Sequence, residues 1–269
     1  MLREIYKYLT TPCAPHLKAM GYLKELIALE ARFRRCRLAW EPHTIKTKSV
    51  ILDAAAHAEQ KNKVVVLGSG ILCDIPIDEL SETFKEVHLV DVCFLKTTRN
   101  FLRQYPNVTL QVADITGLAK PLYDWAQQHG SDDPMPAPTH PKDVRMDDTD
   151  LVISANVLSQ LPLNPLQFLR KTRTGLGEQA LTKLAHDIIE AHQAFIMTCP
   201  GTVCLISEVE RQYLDGKHTI ETEDPLCGHA INFGREEWFW NVAPKSELSD
   251  GYELRNLVKG AYFEPSAYL

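Results

Sequence analysis

No run of about 18 consecutive apolar residues occurs anywhere in the chain, so no transmembrane helix is expected. No apolar leader is expected either. Met1-Leu2-Arg3-Glu4-Ile5-Tyr6-Lys7-Tyr8 carries charges where a signal peptide needs its apolar stretch, and a soluble, cytoplasmic protein is expected. Basic charge is in deficit: 29 Lys and Arg face 35 Asp and Glu, a formal charge of −6. General attraction to a polyanion is therefore disfavoured, and neither nucleic acid nor membrane is the expected partner. No C-x-x-C pair is present, and the cysteines (Cys13, Cys36, Cys73, Cys93, Cys199, Cys204, Cys227) are odd in number. That pattern disfavours a disulfide framework and a structural zinc site, and Cys73 and Cys93, in apolar surroundings, read as reduced core residues. No internal repeat is present. The 269 residues suffice for one large domain, or one with an appendage, burying roughly 75% of the unfolded surface.

What is present reads as alternating helices and strands. Residues 1 to about 60 are expected to be helical. From His16 to Trp40, Leu17, Met20, Leu23, Leu26, Ile27 and Leu29 recur every three or four residues, and a second helix is expected from Thr47 to Gln60. Arg32, Arg34, Arg35 and Arg37 form either an anion contact or, in better accord with the acidic total, a solvated helix end. Val64-Val65-Val66-Leu67 then lacks polar alternation, as a strand buried on both faces does. Similar runs follow at 87–91, 108–112, 151–154 and 203–207, with helical spacers that include Leu80–Phe84 and Glu178–Met197. Alternation of this kind implies βαβ units and a parallel sheet. The proline-rich stretch 130–149 reads as a surface excursion, and the tail from Trp238 to Phe263 as an antiparallel pair.

The first buried strand runs into Gly68-Ser69-Gly70, where a ligand can approach backbone that carries no Cβ. Asp91 ends the next strand, 21 residues beyond Gly70, the usual distance for an acid that accepts ribose hydroxyls. A nucleoside is thus expected at the carboxyl edge of the sheet. The third glycine of the dinucleotide fingerprint is missing, and Asp74 follows instead, which suits an amine or cation better than a pyrophosphate.

Val64-Val65-Val66-Leu67-Gly68-Ser69-Gly70, His88-Leu89-Val90-Asp91, Val112-Ala113-Asp114-Ile115 and Asp150-Leu151-Val152-Ile153-Ser154-Ala155-Asn156 resemble successive motifs of the class I S-adenosylmethionine (SAM)-dependent methyltransferases. The resemblance spans roughly residues 45–263. It implies an α/β fold: a mostly parallel seven-stranded sheet with helices on both faces and a C-terminal antiparallel hairpin. An N-terminal helical cover (1–48) would precede a SAM-binding domain (49–269). It further implies that Gly68, Ser69 and Gly70 meet the methionine portion, with Asp74 near its amine, and that Asp91 and the following Val92 hold the ribose. Asp114 would reach the adenine amino group between Ala113 and Ile115, and Ser154, Ala155 and Asn156 would lie below the sulfonium. An Asn-Pro-Pro-Tyr motif is absent at the last position, which disfavours methylation of a nucleic-acid base, so a small-molecule acceptor is expected.

Methyl transfer asks mainly for alignment, and for a base only where the acceptor holds its proton tightly. His43, His229 and Asn156 are the candidate catalytic residues, with Glu208 and Glu210 as further pocket candidates; either histidine also reads as a surface or capping residue. Trp238 and Trp240 alternate on a strand, so one is expected to line the pocket and the other to pack. No metal is expected, since His186 and Glu190, four apart on a helix, read as an exposed pair. Two alternative functions remain: a noncatalytic SAM- or protein-binding module, and an NAD(P)-dependent oxidoreductase. A last expectation is that the N-terminal helices roof the site and bring Trp40 or His43 to it.

Overall fold

A computed structural model describes residues 2–128, 134–231, 236–245, 247–248 and 251–265. Strand β1 (Lys63–Leu67) is buried along its whole length, as its unbroken apolar run requires. It lies between β2 (Glu86–Asp91) and β4 (Leu151–Ala155), parallel to both, with Leu67 beside Val90 and Ser154. Strand β3 (Val108–Val112) extends the parallel sheet beyond β2, and β5 (Thr202–Asp215) extends it beyond β4. Strands β7 (Glu236–Ala243) and β8 (Glu253–Phe263) pair antiparallel, and β8 inserts next to β5. The order is β3-β2-β1-β4-β5-β8-β7. The expected fold class is the observed one.

An eighth strand, β6 (His218–Glu223), joins the end of β5, which runs past the parallel sheet and folds back. Its signal was Asp215-Gly216, a turn dipeptide whose Gly216 takes φ +59°. A β-bulge interrupts the β5–β8 pairing between Glu208 and Glu210.

Side chains of β1 alternate between two cores. Val65 and Leu67 pack with Leu118, Leu122, Phe168, Leu184 and Ile188, which belong to the layer of α7 (Ala119–Gln127), α8 (Leu163–Thr172) and α9 (Glu178–Ile196). Val64 and Val66 pack with Val50, Ile51 and Ala54 of α4 (Arg37–His57), Leu80 of α5 (Ile77–Thr83) and Leu102 of α6 (Lys96–Leu102). Helices thus cover both faces of the sheet. None of the described helices is long and apolar enough to cross a membrane.

The N-terminal helices depart from the sequence reading. After α1 (Leu2–Thr10), the expected His16–Trp40 helix divides into α2 (Pro15–Ala19) and α3 (Tyr22–Arg35) at Gly21, φ +95°, and breaks again at Cys36. Helix α4 then begins ten residues before the expected Thr47 and passes through Pro42. Proline costs the helix a hydrogen bond to the carbonyl four residues back. Here that residue is Leu38, 85% exposed, so water can serve its carbonyl. Meanwhile the inward face Trp40, His43, Thr47, Val50, Ile51 and Ala54 continues in phase across the proline. Helix α4 therefore runs unbroken through the 48/49 boundary and is part of the sheet's own core. Arg34 and Arg35 pair with Glu4 and Glu247, consistent with a solvated helix end. In the excursion between β3 and β4, residues 130–133 lie outside the described residues, while Val144 and Met146 are buried and anchor the rest.

Candidate functional site

The carboxyl ends of β1, β2 and β4, the turn after β3 and the extension of β5 open onto one cavity of about 800 Å³. This is the edge where open α/β sheets place ligands. The Gly68-Ser69-Gly70 turn forms part of its wall. Gly68 and Gly70 take φ +66° and +56°, and a Cβ on Gly68 would stand 2.4 Å from Val157 Cγ2. Glycine is required there by both backbone and packing.

Asp91 braces that turn. Its Oδ2 accepts the Gly70 N–H and its Oδ1 the Val92 N–H, each at 2.7 Å. Burial outweighs these bonds and pushes the carboxyl up to about 6. Val92, Ala113, Asp114 and Ile115 continue the wall. Asp114 also has structural work, since it accepts from Thr116 N–H (2.9 Å), Thr116 Oγ1 (2.7 Å) and Ala119 N–H (2.7 Å), the last at the start of α7. Helix α3 closes this side with Tyr22, Leu26 and Leu29.

On the other side, Asn156 follows β4 in the left-handed region, φ +56°, a conformation asparagine tolerates better than most residues. Its backbone N–H is held by Ile206 O at 2.8 Å, and its side chain is directed between Asp74 and His43. The amide nitrogen donates to Asp74 Oδ2 at 2.7 Å and lies 3.1 Å from His43 Nε2. Trp238 Nε1–H donates to His43 Nδ1 at 3.0 Å, which puts the proton of a neutral imidazole on Nε2. Nε2–H then needs an acceptor, and Thr47 Oγ1 at 3.5 Å is a distant one. Turning the Asn156 amide over would offer Oδ1 to it, but against Asp74 unless that acid is protonated. Burial raises the Asp74 carboxyl in just that direction. The amide orientation and the Asp74 proton are thus coupled.

His43 is buried, stacks on Trp240 with ring centroids 4.0 Å apart, and is driven by burial down to about 3. It is a neutral polar wall of the cavity rather than a charged one. Trp40 sets its ring edge against Trp240 and donates Nε1–H to Val242 O at 2.9 Å. Helix α3 and the first turns of α4 line the cavity, with both Trp40 and His43. Of the tryptophan pair, Trp240 lines it, while Trp238 holds His43.

Glu208 is 2% exposed and lines the cavity with Arg211 and Tyr213. Three residues apart on a regular strand, Glu208 and Arg211 would face opposite ways. The bulge leaves Val209 out of the alternation: Glu208 pairs with Val258 and Arg211 with Asn256, so both face the cavity. Ser159 Oγ donates to Glu208, whose carboxyl burial raises. Four buried polar atoms on this lining lack a partner among the described residues: Ser69 Oγ, Asn156 Oδ1, Trp240 Nε1 and Asn256 Oδ1. Such atoms are costly unless a ligand or solvent serves them.

Most residues expected at the site are brought together, namely His43, Gly68, Ser69, Gly70, Asp74, Asp91, Val92, Ala113, Asp114, Ile115, Ala155, Asn156 and Glu208. Ser154 is not. It is fully buried, with Oγ 2.9 Å from His192 Nε2, because alternation along β4 turns it from the cavity. His229 is not either: it lies on the surface against His186, Nε2 3.2 Å from His186 O. The Asp224 carboxylate fixes its loop there by accepting the Leu226 and Gly228 N–H groups. Glu210 is also outside the lining. His186, Asp187 and Glu190 each place one ligand atom within 4.8 Å of the others, with Asp187 already held by Lys183. Sequence reasoning missed Tyr22, Leu26 and Leu29, whose apolar stripe matches an ordinary buried face. It also missed Asn256, where an amide within the strand Leu254–Val258 was the available signal.

No family model matches the chain, and no curated protein does. Among solved structures, it is similar to the 1,6-didemethyltoxoflavin-N1-methyltransferase of Burkholderia thailandensis with bound 1,6-didemethyltoxoflavin and S-adenosylhomocysteine. That match is 12% identical, covers 93% of this chain and 92% of that one, and has a TM-score of 0.38. It is also similar to a SAM-dependent methyltransferase of Leishmania major (13% identical, 96% and 82% covered, TM-score 0.32). A third likeness is to the 23S rRNA methyltransferase ErmE (10% identical, 79% and 68% covered, TM-score 0.32).

Proposed function

We propose that this chain is an S-adenosylmethionine-dependent methyltransferase acting on a small-molecule acceptor. The observation that carries the reading is the pairing of two carboxylates with one glycine turn. Asp91 braces the Gly68-Ser69-Gly70 backbone from the end of β2, and Asp74 stands on the same cavity directly after Cys73, which occupies the place of a pyrophosphate site's third glycine. A ligand with ribose hydroxyls and an amine satisfies both acids; a pyrophosphate would be repelled by them. The unpartnered Ser69 Oγ on the same turn fits a ligand that supplies one more polar contact.

On this reading, Asp91 accepts the ribose hydroxyls, using the lone pairs left over from its backbone bonds. Ala113 and Ile115 flank the adenine, and Asp114 is placed to accept its amino group while it holds the start of α7. Asp74 and Asn156 face the methionine end. SAM, when bound, supplies a methyl carbon activated by its sulfonium. The protein's task is to align an acceptor with that carbon and to exclude water, and α3 and α4 cover the cavity for both purposes.

Calorimetric titration with SAM, S-adenosylhomocysteine and NADH tests the proposal. Binding of both sulfur ligands without NADH is the expected result. NADH binding alone would overturn it in favour of an oxidoreductase. Tight SAM binding with no methyl consumed on any acceptor would leave a binding module.

A further inference from the structure

Beyond the Asp91 lobe, the cavity continues past Asn156 to a wall made by β5, β8 and β7. There, Arg211, Asn256 and Trp240 stand side by side across three strands, with Glu208 one step along the same face. Among the described residues here, the acceptors with spare capacity, Glu208 and two amide oxygens, outnumber the one unserved donor, Trp240 Nε1–H. Glu208 is 2% exposed and receives hydrogen bonds from Ser159 and from its own backbone N–H, which leave lone pairs free on a buried carboxylate. Asn156 Oδ1 and Asn256 Oδ1 are buried and receive none. Arg211, the cation beside Glu208 among the described residues, is already bound by Glu223 at 3.2 Å. Asp74, on the same cavity, adds a second acid and has Lys48 as its distant positive neighbour. An acid this deeply buried, with spare lone pairs and unserved amide oxygens around it, is complementary to a group with several N–H donors and positive charge. The bulge at Val209 is what brings Arg211 onto the same face as Glu208.

We propose that Glu208, with Asn156 and Asn256, forms an ammonium-binding subsite, and that the methyl acceptor is an amine carried on an apolar body. The apolar part fits the wall of Trp240, Val242 and Leu254. The subsite also handles the acceptor's proton. An ammonium has no free lone pair. Its proton passes to the Glu208 carboxylate and on to solvent, and the nitrogen keeps the electron pair that methylation requires. His43 is not needed for this step. The inference deepens the methyltransferase reading and rests on it for the fate of the amine, though not for the amine's binding.

The test is a calorimetric comparison of matched probes on the full chain without SAM: 2-phenylethylamine, 2-phenylethanol and phenylacetate, then butylamine and butanol. In at least one size class, the amine is expected to bind about tenfold or more tighter than its alcohol, the size of one charge-assisted hydrogen bond. Glu208→Gln should bring amine and alcohol to parity. Equal affinities in both sizes, no binding by any probe, or preference for phenylacetate through Arg211 would overturn the proposal. So would an amine preference that survives Glu208→Gln in a chain of unchanged circular dichroism. The wild-type comparison stands even if that variant does not fold. S-adenosylhomocysteine binding, measured separately, distinguishes the two ideas. Its absence with amine preference intact removes methyl transfer alone, and its presence with alcohols methylated instead of amines removes the amine subsite alone.

Discussion

Asp91 is where the cofactor assignment is most exposed to refutation. Each of its oxygens accepts one backbone N–H at 2.7 Å and the Cys93 N–H is a further backbone neighbour, so part of the carboxylate's acceptor capacity remains for the hydroxyls of a ribose. Burial raises its carboxyl to about 6, so the acid changes charge within a convenient range. Ribose hydroxyls donate to the ionised form and stabilise it. Affinity should therefore be full above about pH 7 and fall as pH drops through 6, approaching a tenfold loss per unit below it. At pH 5 the loss is about tenfold. The probe of choice is 5′-methylthioadenosine, which has the ribose and the base but no α-amino group, so that Asp74 gains no ammonium partner and does not contribute to the profile. Asp91→Asn should weaken binding by about 1.5–3 kcal/mol, roughly 10- to 150-fold, and flatten the profile. Calorimetry from pH 5 to 8, with circular dichroism to confirm the fold, reads both effects. A wild-type affinity independent of pH, or a variant that keeps the wild-type profile, would refute the ribose assignment.

Gly68→Ala sets a Cβ 2.4 Å from Val157 Cγ2 at φ +66°. Urea denaturation should show a loss of about 2–4 kcal/mol, of which Val157→Ala restores only the steric part. The buried rings of His43 and His192 are driven down to about 3 and 4, below the value near 6.5 of an unfolded chain. Their contribution to stability is present above about pH 6.5 and is lost as pH falls toward 3–4. Histidine ring resonances should accordingly show both side chains neutral at pH 5.5, and a ring that titrates near 6.5 would contradict its burial.

What the sequence made legible is what strand burial and backbone conformation dictate. A parallel strand buried on both faces must be apolar throughout, so β1, β2, β4 and the first half of β5 declared themselves. A turn with positive φ wants glycine, so Gly68 and Gly70 marked the site. The N-terminal half was less legible, because helical periodicity does not say where a stripe is cut. Gly21 and Cys36 divide one apparent helix, and Pro42 fails to divide another. Ser154 and His229 show a second limit. A motif gives a neighbourhood, but the side of the strand comes from register, and β4's alternation sends Ser154 to His192 while Ala155 opens onto the cavity.

The same limit hides the face that Glu208 shares with Arg211, and there it can be tested directly. By sequence count they belong on opposite faces, so no alternating pattern announces a shared pocket. Pairing with β8 resolves this by leaving Val209 without a partner of its own, between Glu208 opposite Val258 and Glu210 opposite Leu257. Deleting Val209 should therefore preserve the pairing on both sides of the bulge, since only the unpaired residue is removed. Glu208 and Arg211 then become next-but-one neighbours and stay on the cavity face, while the strand loses its local bend. Cross-strand nuclear Overhauser contacts between Arg211 and Asn256 report the register, and calorimetry with 2-phenylethylamine reports the subsite. Retained contacts with retained binding are the expected outcome. If instead Arg211 moves to pair with Leu257, β5 slips by one residue and the distal half of the strand turns over. The bulge would then fix the register of the β5–β6 hairpin rather than accommodate an extra residue, and the argument for a shared face would fail.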